Sequence, residues 1–353
     1  MILINGNFLC RNLTGIERFA WEVCAKLDSL IDSNIKVAML VPFNAKKIPE
    51  YKNIILIKSK KAIKSFPLWD LFYFSSECKK HHAIGLNFSN TAPLGKNCGF
   101  AFIHDIYAKD FPGDFKSKKD FLIKLYCRLN YKNICKNAKK IITVSNFSKN
   151  QIIKAYKVKE NRIAVLPNGW EHFNQIEDDE SIFEKFPVLK EKEFFFTLGS
   201  LQKRKNLKWI AEYAQNHPED FFAISGKIIG GMHSDAISNL RKMNNVLLLG
   251  YVSDSQVKAL MKKCLAFVFP SYYEGFGIPP LEALSVGAKI IVAKAASLPE
   301  IYGSAAQYID PYNADCNLKE MLKNKTESAE SVLKLYTYQN AAENLYKIIM
   351  EQR

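Results

Sequence analysis

Phe269-Pro270-Ser271-Tyr272-Tyr273-Glu274-Gly275-Phe276-Gly277-Ile278-Pro279-Pro280-Leu281-Glu282-Ala283-Leu284-Ser285-Val286-Gly287 changes character twice along its length. The apolar run that ends at Phe269 reads as a buried strand. A glycine-bearing loop follows. Pro279-Pro280 then suits the first turn of a helix, where a missing N–H costs nothing. Gly287 suits the left-handed position just past the helix end. Strand, tight loop, helix is the repeating unit of a parallel α/β sheet. Glu274 falls in the loop and Glu282 near the start of the helix. Gly275 and Gly277 let the backbone approach a ligand closely, and the free N–H groups of a helix start attract an anion. Two carboxylates and backbone donors around one loop fit a sugar's hydroxyls and the charge beside it. The plain alternative is an ordinary crossover with two surface glutamates, and the pair alone does not exclude it.

Working outward, short apolar runs alternate with longer amphipathic stretches on both sides. Strands are expected at Ile2–Ile4, Val37–Leu40, Ile54–Ile57, Ile84–Phe88, Phe100–Ile103, Ile141–Val144 and Ile163–Leu166. A second set is expected at Phe194–Leu198, Phe221–Ile224, Val246–Leu249, Ala266–Phe269 and Lys289–Ala293. Helical patterns lie between them at Gly15–Leu30, Phe121–Asn137, Leu207–Asn216, Asp254–Lys263 and Pro280–Val286. Two such series predict two α/β units with parallel sheets. The acidic, aperiodic segment from Glu171 to Glu180 reads as a linker between them. The expected domains are therefore 1–172 and 173–335. The last stretch, 336–353, carries a final amphipathic helix.

Three more segments carry candidate chemistry. Phe194-Phe195-Phe196-Thr197-Leu198-Gly199-Ser200-Leu201-Gln202-Lys203-Arg204-Lys205-Asn206-Leu207 runs a strand into a glycine turn and then three cations before a helix, with Asn206 as its expected N-cap. Cations beside a helix N-terminus oppose the macrodipole, so an anion between them is expected. Diphosphate fits, with Arg204 bidentate and Lys205 a point charge. A solvated basic turn is the alternative. His104-Asp105 follows the apolar Ala101-Phe102-Ile103, which places a histidine at the carboxyl end of a buried strand. It reads either as a partner for a substrate hydroxyl or as a core histidine satisfied by Asp105. Thr14-Gly15-Ile16-Glu17-Arg18-Phe19 opens a helix after the first strand, and Gly15 reads equally as a phosphate approach or a turn glycine.

These residues together carry a resemblance. The Glu274-to-Glu282 string resembles the E-x7-E motif of the family-4 retaining glycosyltransferases, group 1 enzymes of bacterial polysaccharide and lipopolysaccharide type with the GT-B fold. Gly199–Asn206 is similar to their G-[ST]-L-x-x-R-K-N phosphate loop. Thr14–Phe19, Asn90–Leu94, His104-Asp105, Ile141–Lys149, Val165–Gly169, Leu249–Asp254 and Leu298–Glu300 match further motifs in order. Trp170, where the family has a smaller apolar residue, and Lys203, where proline is common, depart from the pattern.

The resemblance implies two Rossmann-like parallel-sheet domains facing each other across a cleft, with the final helix crossing back to the first. It implies retaining, metal-independent transfer of a hexose from GDP-mannose or a UDP-hexose to a saccharide or lipid-linked acceptor in cell-surface polysaccharide synthesis. No cofactor is expected. Arg204 and Lys205 would hold the diphosphate and Glu282 the ribose. Glu274 would hold the sugar together with the backbone of Phe276, Gly277 and Ile278. Gly15, Gly199 and Val252 would complete the donor site, and His104 would reach the sugar near the reacting carbon. Another GT-B enzyme, a sugar-nucleotide epimerase or a glucan synthase, is the nearest alternative.

Composition bounds these readings. The 353 residues are 48% hydrophobic with a formal net charge of +15, which invites a nucleic-acid or an anionic-membrane partner. The charge is uneven: residues 1–170 hold 29 Lys+Arg against 12 Asp+Glu, and the remainder holds 21 against 23. Lys58–Phe74 and Lys116–Lys140 concentrate it, lysines alternating with aromatic and apolar residues. That pattern suits an anionic membrane surface, with a merely solvated basic face as the alternative. Interleaved base-reading motifs are missing, so nucleic acid is not expected. No G-x-G-x-x-G follows a strand, and no G-x-x-x-x-G-K-[ST] or D-x-D occurs. The eight cysteines form no C-x-x-C and read as reduced thiols. The chain's start has no secretory pattern, and a cytoplasmic enzyme, peripheral on the membrane's inner face, is expected.

Overall fold

A computed structural model describes residues 1–198, 202–226 and 239–352. The chain divides into two compact units, Met1–Gly169 together with Tyr336–Arg353, and Trp170–Leu335.

The first unit is built on seven parallel strands: β1 (Ile2–Asn5), β2 (Val37–Val41), β3 (Ile55–Lys58), β4 (Ile84–Asn87), β5 (Phe100–Phe102), β6 (Lys140–Thr143) and β7 (Ile163–Val165). Their order across the sheet is β3-β2-β1-β4-β5-β6-β7. Leu3 pairs with Ala38 on one side and Gly85 on the other, so β1 is central and wholly buried. Strands covered on both faces need apolar residues at every position rather than alternately, which is why their sequences are continuous apolar runs.

Helices cover the sheet. Among them are α1 (Gly15–Leu30), α2 (Lys118–Asn137) and α3 (Asn146–Tyr156). Phe19, Ala20, Val23, Cys24 and Leu27 line one face of α1 and are buried. The sequence pattern began α2 at Phe121. The helix starts earlier because Ser117 accepts from the Asp120 N–H while Asp120 bonds back to the Ser117 N–H, a capping box. Between β3 and β4 the chain makes a π-helical turn, Trp69–Phe74, that the periodicity did not foretell.

Among the described residues the second unit holds six parallel strands: β8 (Phe194–Leu198), β9 (Phe221–Ser225), β10 (Val246–Gly250), β11 (Ala266–Phe269), β12 (Ile290–Ala293) and β13 (Gln307–Ile309). Their order is β10-β9-β8-β11-β12-β13. The edge strand β13 has no sequence signal, since it is three residues long, begins with a glutamine and buries only Ile309. Helices α4 (Leu207–Asn216), α5 (Asp254–Lys263) and α6 (Ile278–Ser285) lie between the strands.

The final helix α7 (Tyr338–Glu351) returns to the first unit. It buries Tyr338, Ala341, Ala342, Leu345 and Ile349 in the core that α1 also lines, with the Phe19 and Tyr338 rings 6.3 Å apart.

The strand order reverses direction between β1 and β4 in the first unit and between β8 and β11 in the second. In open α/β sheets, ligands bind beyond the carboxyl ends of strands at such points. Among the described residues no helix is long and apolar enough to cross a membrane, and all eight cysteines are free thiols.

Candidate active site

The loops that leave β8 and β11 meet at the switch point of the second unit. After β8, residues Lys203–Lys205 form a single 3-10 turn before α4. After β11, the chain runs through Glu274 to Gly277, where α6 begins. The Tyr272 N–H donates to the Arg204 carbonyl at 3.1 Å, so the two loops are stitched by backbone.

Glu274 is buried, and both its carboxylate oxygens are taken by cations of the facing loop. Arg204 Nη1 donates to Oε2, and Lys205 Nζ donates to Oε1 at 2.7 Å. Arg204 Nη1 also reaches the Tyr273 carbonyl at 3.1 Å, and its Nε donates to Gln202 Oε1 at 2.9 Å. Lys205 Nζ lies 4.6 Å from the centre of the Phe269 ring, a cation–π contact. Burial pushes the Glu274 pKa up, but the charges of Arg204 and Lys205 outweigh it and hold the carboxylate below its ordinary range. The cations before α4 demanded an anion, and the protein supplies one from its own chain.

Asn206 differs from its expected role. It adopts left-handed backbone at φ 59°, and its side chain makes no capping bond to α4. Its Nδ2 donates instead to the Pro270 carbonyl at 3.1 Å and the Pro311 carbonyl at 2.7 Å. Asparagine tolerates left-handed backbone, and here it ties three loops where an N-cap would have tied one helix turn.

The Glu274 loop is propped from behind by residues with no sequence signal. Ser297 Oγ donates to the carbonyls of Glu274 (3.0 Å) and Phe276 (3.1 Å), and the Tyr302 hydroxyl to that of Gly277. Gly277 has φ +92°, and a Cβ there would stand 2.6 Å from Leu298 Cδ2. Glycine is therefore required at the start of α6, for conformation and for space. Phe276 is buried and Ile278 is the first residue of α6. Gly287 follows α6 at φ +81°, as its position predicts.

Glu282 projects from α6 to His172, with Oε1 and Nε2 2.9 Å apart. His172 is buried on the short helix Glu171–Gln175, in the segment read from sequence as linker. Trp170 Nε1 also bonds the Leu333 carbonyl at 2.9 Å, which gives the unusual tryptophan a tethering role. The second unit accordingly starts at Trp170, just before the expected boundary after 172. Val252 is buried in the loop between β10 and α5, and Gly199 lies outside the described residues.

In the first unit, His104 follows β5 and is buried. Its Nε2 sits 2.7 Å from the Phe88 carbonyl, not on Asp105, whose Oδ1 accepts from the Tyr107 N–H. A carbonyl can only accept, so Nε2 carries the proton and Nδ1 keeps a lone pair. The ring stacks on Phe102 (5.6 Å) and meets the edge of Phe19 on α1 (5.6 Å). Burial drives its pKa down, against the Phe88 carbonyl, Asp105 and Glu17, so the ring is neutral. Gly15 is the exposed first residue of α1, next to Thr14, whose hydroxyl bonds Glu17.

A polar cluster missed by sequence closes the β1–β4 switch point. Asp70, on the π-helical turn, is buried and accepts from Asn5 Nδ2 (2.8 Å), Asn7 Nδ2 (3.0 Å) and Thr91 Oγ1 (2.7 Å). Trp69 Nε1 donates to Asn5 Oδ1 at 2.9 Å. Trp69 and Asp70 are the first two residues of the π-turn, and both are buried. Burial raises the Asp70 pKa despite these donors.

Comparison with known proteins follows this division of the chain. Residues 178–344 match the family model "Glycosyl transferases group 1", and residues 13–172 match "Glycosyltransferase Family 4". O-antigen chain mannosyltransferase B of Escherichia coli is 30% identical over 193 residues, 51% of this chain and 49% of that protein. O-antigen chain mannosyltransferase RfbU of Salmonella typhimurium is 26% identical over 267 residues, 74% of this chain and 67% of that protein. The matched region thus spans about half the length of the first relative and two thirds of the second. Among solved structures, Anabaena Alr3699/HepE in complex with UDP and glucose superposes with a TM-score of 0.68 at 15% identity, covering 99% of both chains.

Proposed function

Because the chain belongs to the group 1 glycosyltransferases, we propose that it moves a hexose from a nucleoside-diphosphate sugar to a saccharide or lipid-linked acceptor in O-antigen or related lipopolysaccharide synthesis. The observation that carries this reading is the Arg204–Glu274–Lys205 cluster at the switch point of the second sheet. The mannosyltransferase names of the two relatives favour GDP-mannose as donor. The UDP and glucose held by the solved neighbour support a UDP-hexose as the second candidate.

The chemistry proceeds from charge. Breaking the bond between sugar and diphosphate builds negative charge on the leaving phosphate and partial positive charge on the sugar ring. Arg204 and Lys205 stand ready for the first, fixed before substrate arrives, and they supply the charge a metal would otherwise bring. Within the protein Glu274 offsets one of their two positive charges and accepts from both, and diphosphate takes the cations in its place. The freed carboxylate then lies beside the sugar, where it holds hydroxyls and stabilises the oxocarbenium-like ring. Glu282, oriented by His172, takes the ribose hydroxyls. The Phe276–Ile278 backbone, fixed by Ser297 and Tyr302, lines the donor. The family resemblance adds Val252, Gly199 and Gly15 as further donor contacts. His104 offers the Nδ1 lone pair to a substrate hydroxyl. The family resemblance implies retention, and with no second nucleophile among the assigned residues a retaining transfer runs by front-side substitution, the acceptor oxygen entering on the face that the diphosphate leaves.

A panel of GDP, UDP, dTDP and ADP, each with its sugars, tests the donor. Ligand at 100 times its dissociation constant stabilises by about 2.7 kcal/mol, a readable shift in thermal midpoint. Mass spectrometry of the products separates transfer from epimerisation or glucan synthesis. Lys205→Ala is expected to abolish transfer while keeping the fold. Undiminished transfer in that variant overturns the site.

A further inference from the structure

Arg11 is a fixed cation whose donors are not engaged. One 3-10 turn, Gly6–Cys10, separates it from β1, so it stands in the loop that leaves the carboxyl end of that strand at the β1–β4 switch point. A guanidinium carries five N–H donors. Among the described residues the Arg11 side chain makes no hydrogen bond, and its Nε is buried without a partner. Its ion-pair partner, Glu17 on α1, lies 3.7 Å from Nη1, beyond hydrogen-bond length. The group is held all the same: Cζ sits 4.0 Å from the centre of the Phe66 ring, a cation–π contact. The side chain keeps 32% of its surface exposed, so a ligand can reach it. Arg162 shows what a structural arginine of the same unit does. Its Nη1 donates to the Cys135 carbonyl at 2.8 Å and its Nη2 to the Ala138 carbonyl at 2.7 Å.

The carboxylates nearby do not answer Arg11 in full. Glu17 is buried, and its Oε2 accepts from the Thr14 hydroxyl. Asp70, which also feels the charge of Arg11, accepts from Asn5, Asn7 and Thr91. A second cation stands beside the loop, since Lys46 Nζ donates at 2.5 Å to Oδ1 of Asn12, the residue after Arg11. A planar fork stacked on an aromatic ring, with a point charge near it, suits a phosphate, which takes two N–H bonds from one arginine and carries more charge than a carboxylate. We propose that Arg11 is the anion receptor of the first unit and takes a phosphate of the acceptor, in ester or diphosphate linkage. The assignment to the acceptor rests on the transferase reading, in which Arg204 and Lys205 are committed to the donor. The anion site itself does not.

Calorimetric titration of the intact chain with inorganic pyrophosphate tests it, with GDP or UDP held at saturation so that Arg204 and Lys205 are occupied. The parent is expected to bind pyrophosphate under these conditions. Arg11→Gln should bind it about tenfold more weakly, and Arg11→Lys, which keeps the charge without the fork, should fall between. Glu17→Gln removes the opposing charge and should bind more tightly than the parent, an effect of the opposite sign that a merely structural arginine would not produce. Nucleotide affinity should be the same in all four proteins. Geranyl diphosphate in place of pyrophosphate identifies the source of the phosphate. Tighter binding that Arg11→Gln loses assigns it to a diphosphate on an isoprenoid carrier, and equal binding to a phosphate without lipid. The proposal is overturned by a parent that does not bind pyrophosphate, by undiminished binding in Arg11→Gln, or by weaker binding in Glu17→Gln. Loss of nucleotide affinity in Arg11→Gln also overturns it, since Arg11 would then serve the donor. A parent that binds neither nucleotide counts against the transferase reading. The Arg11 comparison is then made in the Lys205→Ala background and scored apart from it.

Discussion

A single carboxylate organises the second unit's site. Glu274 holds Arg204 and Lys205 apart and in place, so removing its charge has two opposite effects. Glu274→Gln should lower transfer by about 10²–10³-fold, the size expected when one preorganised charge is lost from a transition state. The same variant should bind nucleoside diphosphate without sugar more tightly than the parent, because the competing carboxylate is gone. Calorimetry with GDP and UDP beside a transfer assay checks both, and weaker diphosphate binding would contradict the exchange of anions. His104 makes the other residue-scale prediction. Its folded pKa is depressed, so the unfolded chain takes up a proton that the folded chain refuses. Its contribution to stability is complete above the unfolded value of about 6.5 and is lost as pH falls below it. His104→Gln should flatten the fall in thermal midpoint as pH drops below about 6.5, relative to the parent. Of these residues, Glu274, Arg204 and Lys205 were legible in the sequence because each stands in a loop leaving a recognisable strand. His172 was not, since its partner Glu282 lies 110 residues on and nothing local marks it. Asp70 was hidden likewise: its donors Asn5, Asn7 and Thr91 come from three separate segments, and only the fold assembles them.

Among elements, strands with apolar runs of four or five residues were readable to within a residue or two, the central ones because burial on both faces leaves no other composition and the edge strand β3 because its run Ile54-Ile55-Leu56-Ile57 is apolar although partly exposed. The edge strand β13 and the π-turn lacked that constraint and went unread. Helix ends were set by side chains the periodicity ignores, as Ser117 and Asp120 show for α2. The start of α6 depends instead on an absent side chain. Gly277→Ala places a methyl against Leu298 and forces a left-handed alanine, so it should cost about 1–3 kcal/mol of stability in a denaturant titration. Transfer should fall with it, since the Phe276–Ile278 backbone moves. An unchanged midpoint would mean that Leu298 yields at no cost.

The largest pattern is that the first unit is discontinuous. Its sheet is finished by residue 165, yet its core waits for α7, whose Tyr338, Leu345 and Ile349 are fully buried beside α1. A chain ending at Leu335 would open cavities costing about 2–5 kcal/mol for each large side chain lost, together comparable to the whole stability of a domain. Such a truncation should give a protein whose first unit no longer unfolds cooperatively, while residues 170–335 retain a transition of their own in calorimetry. A single native-like transition would count against it. Order of manufacture then becomes a physical constraint. During synthesis the second unit has all its parts once Leu335 leaves the ribosome, whereas the first unit, begun earlier, still has the apolar face of α1 uncovered. Domains fold as their segments become available, so the half of the protein made first is the half completed last. Until the final helix arrives, that open face is a site for chaperones to hold and for misassembly to begin.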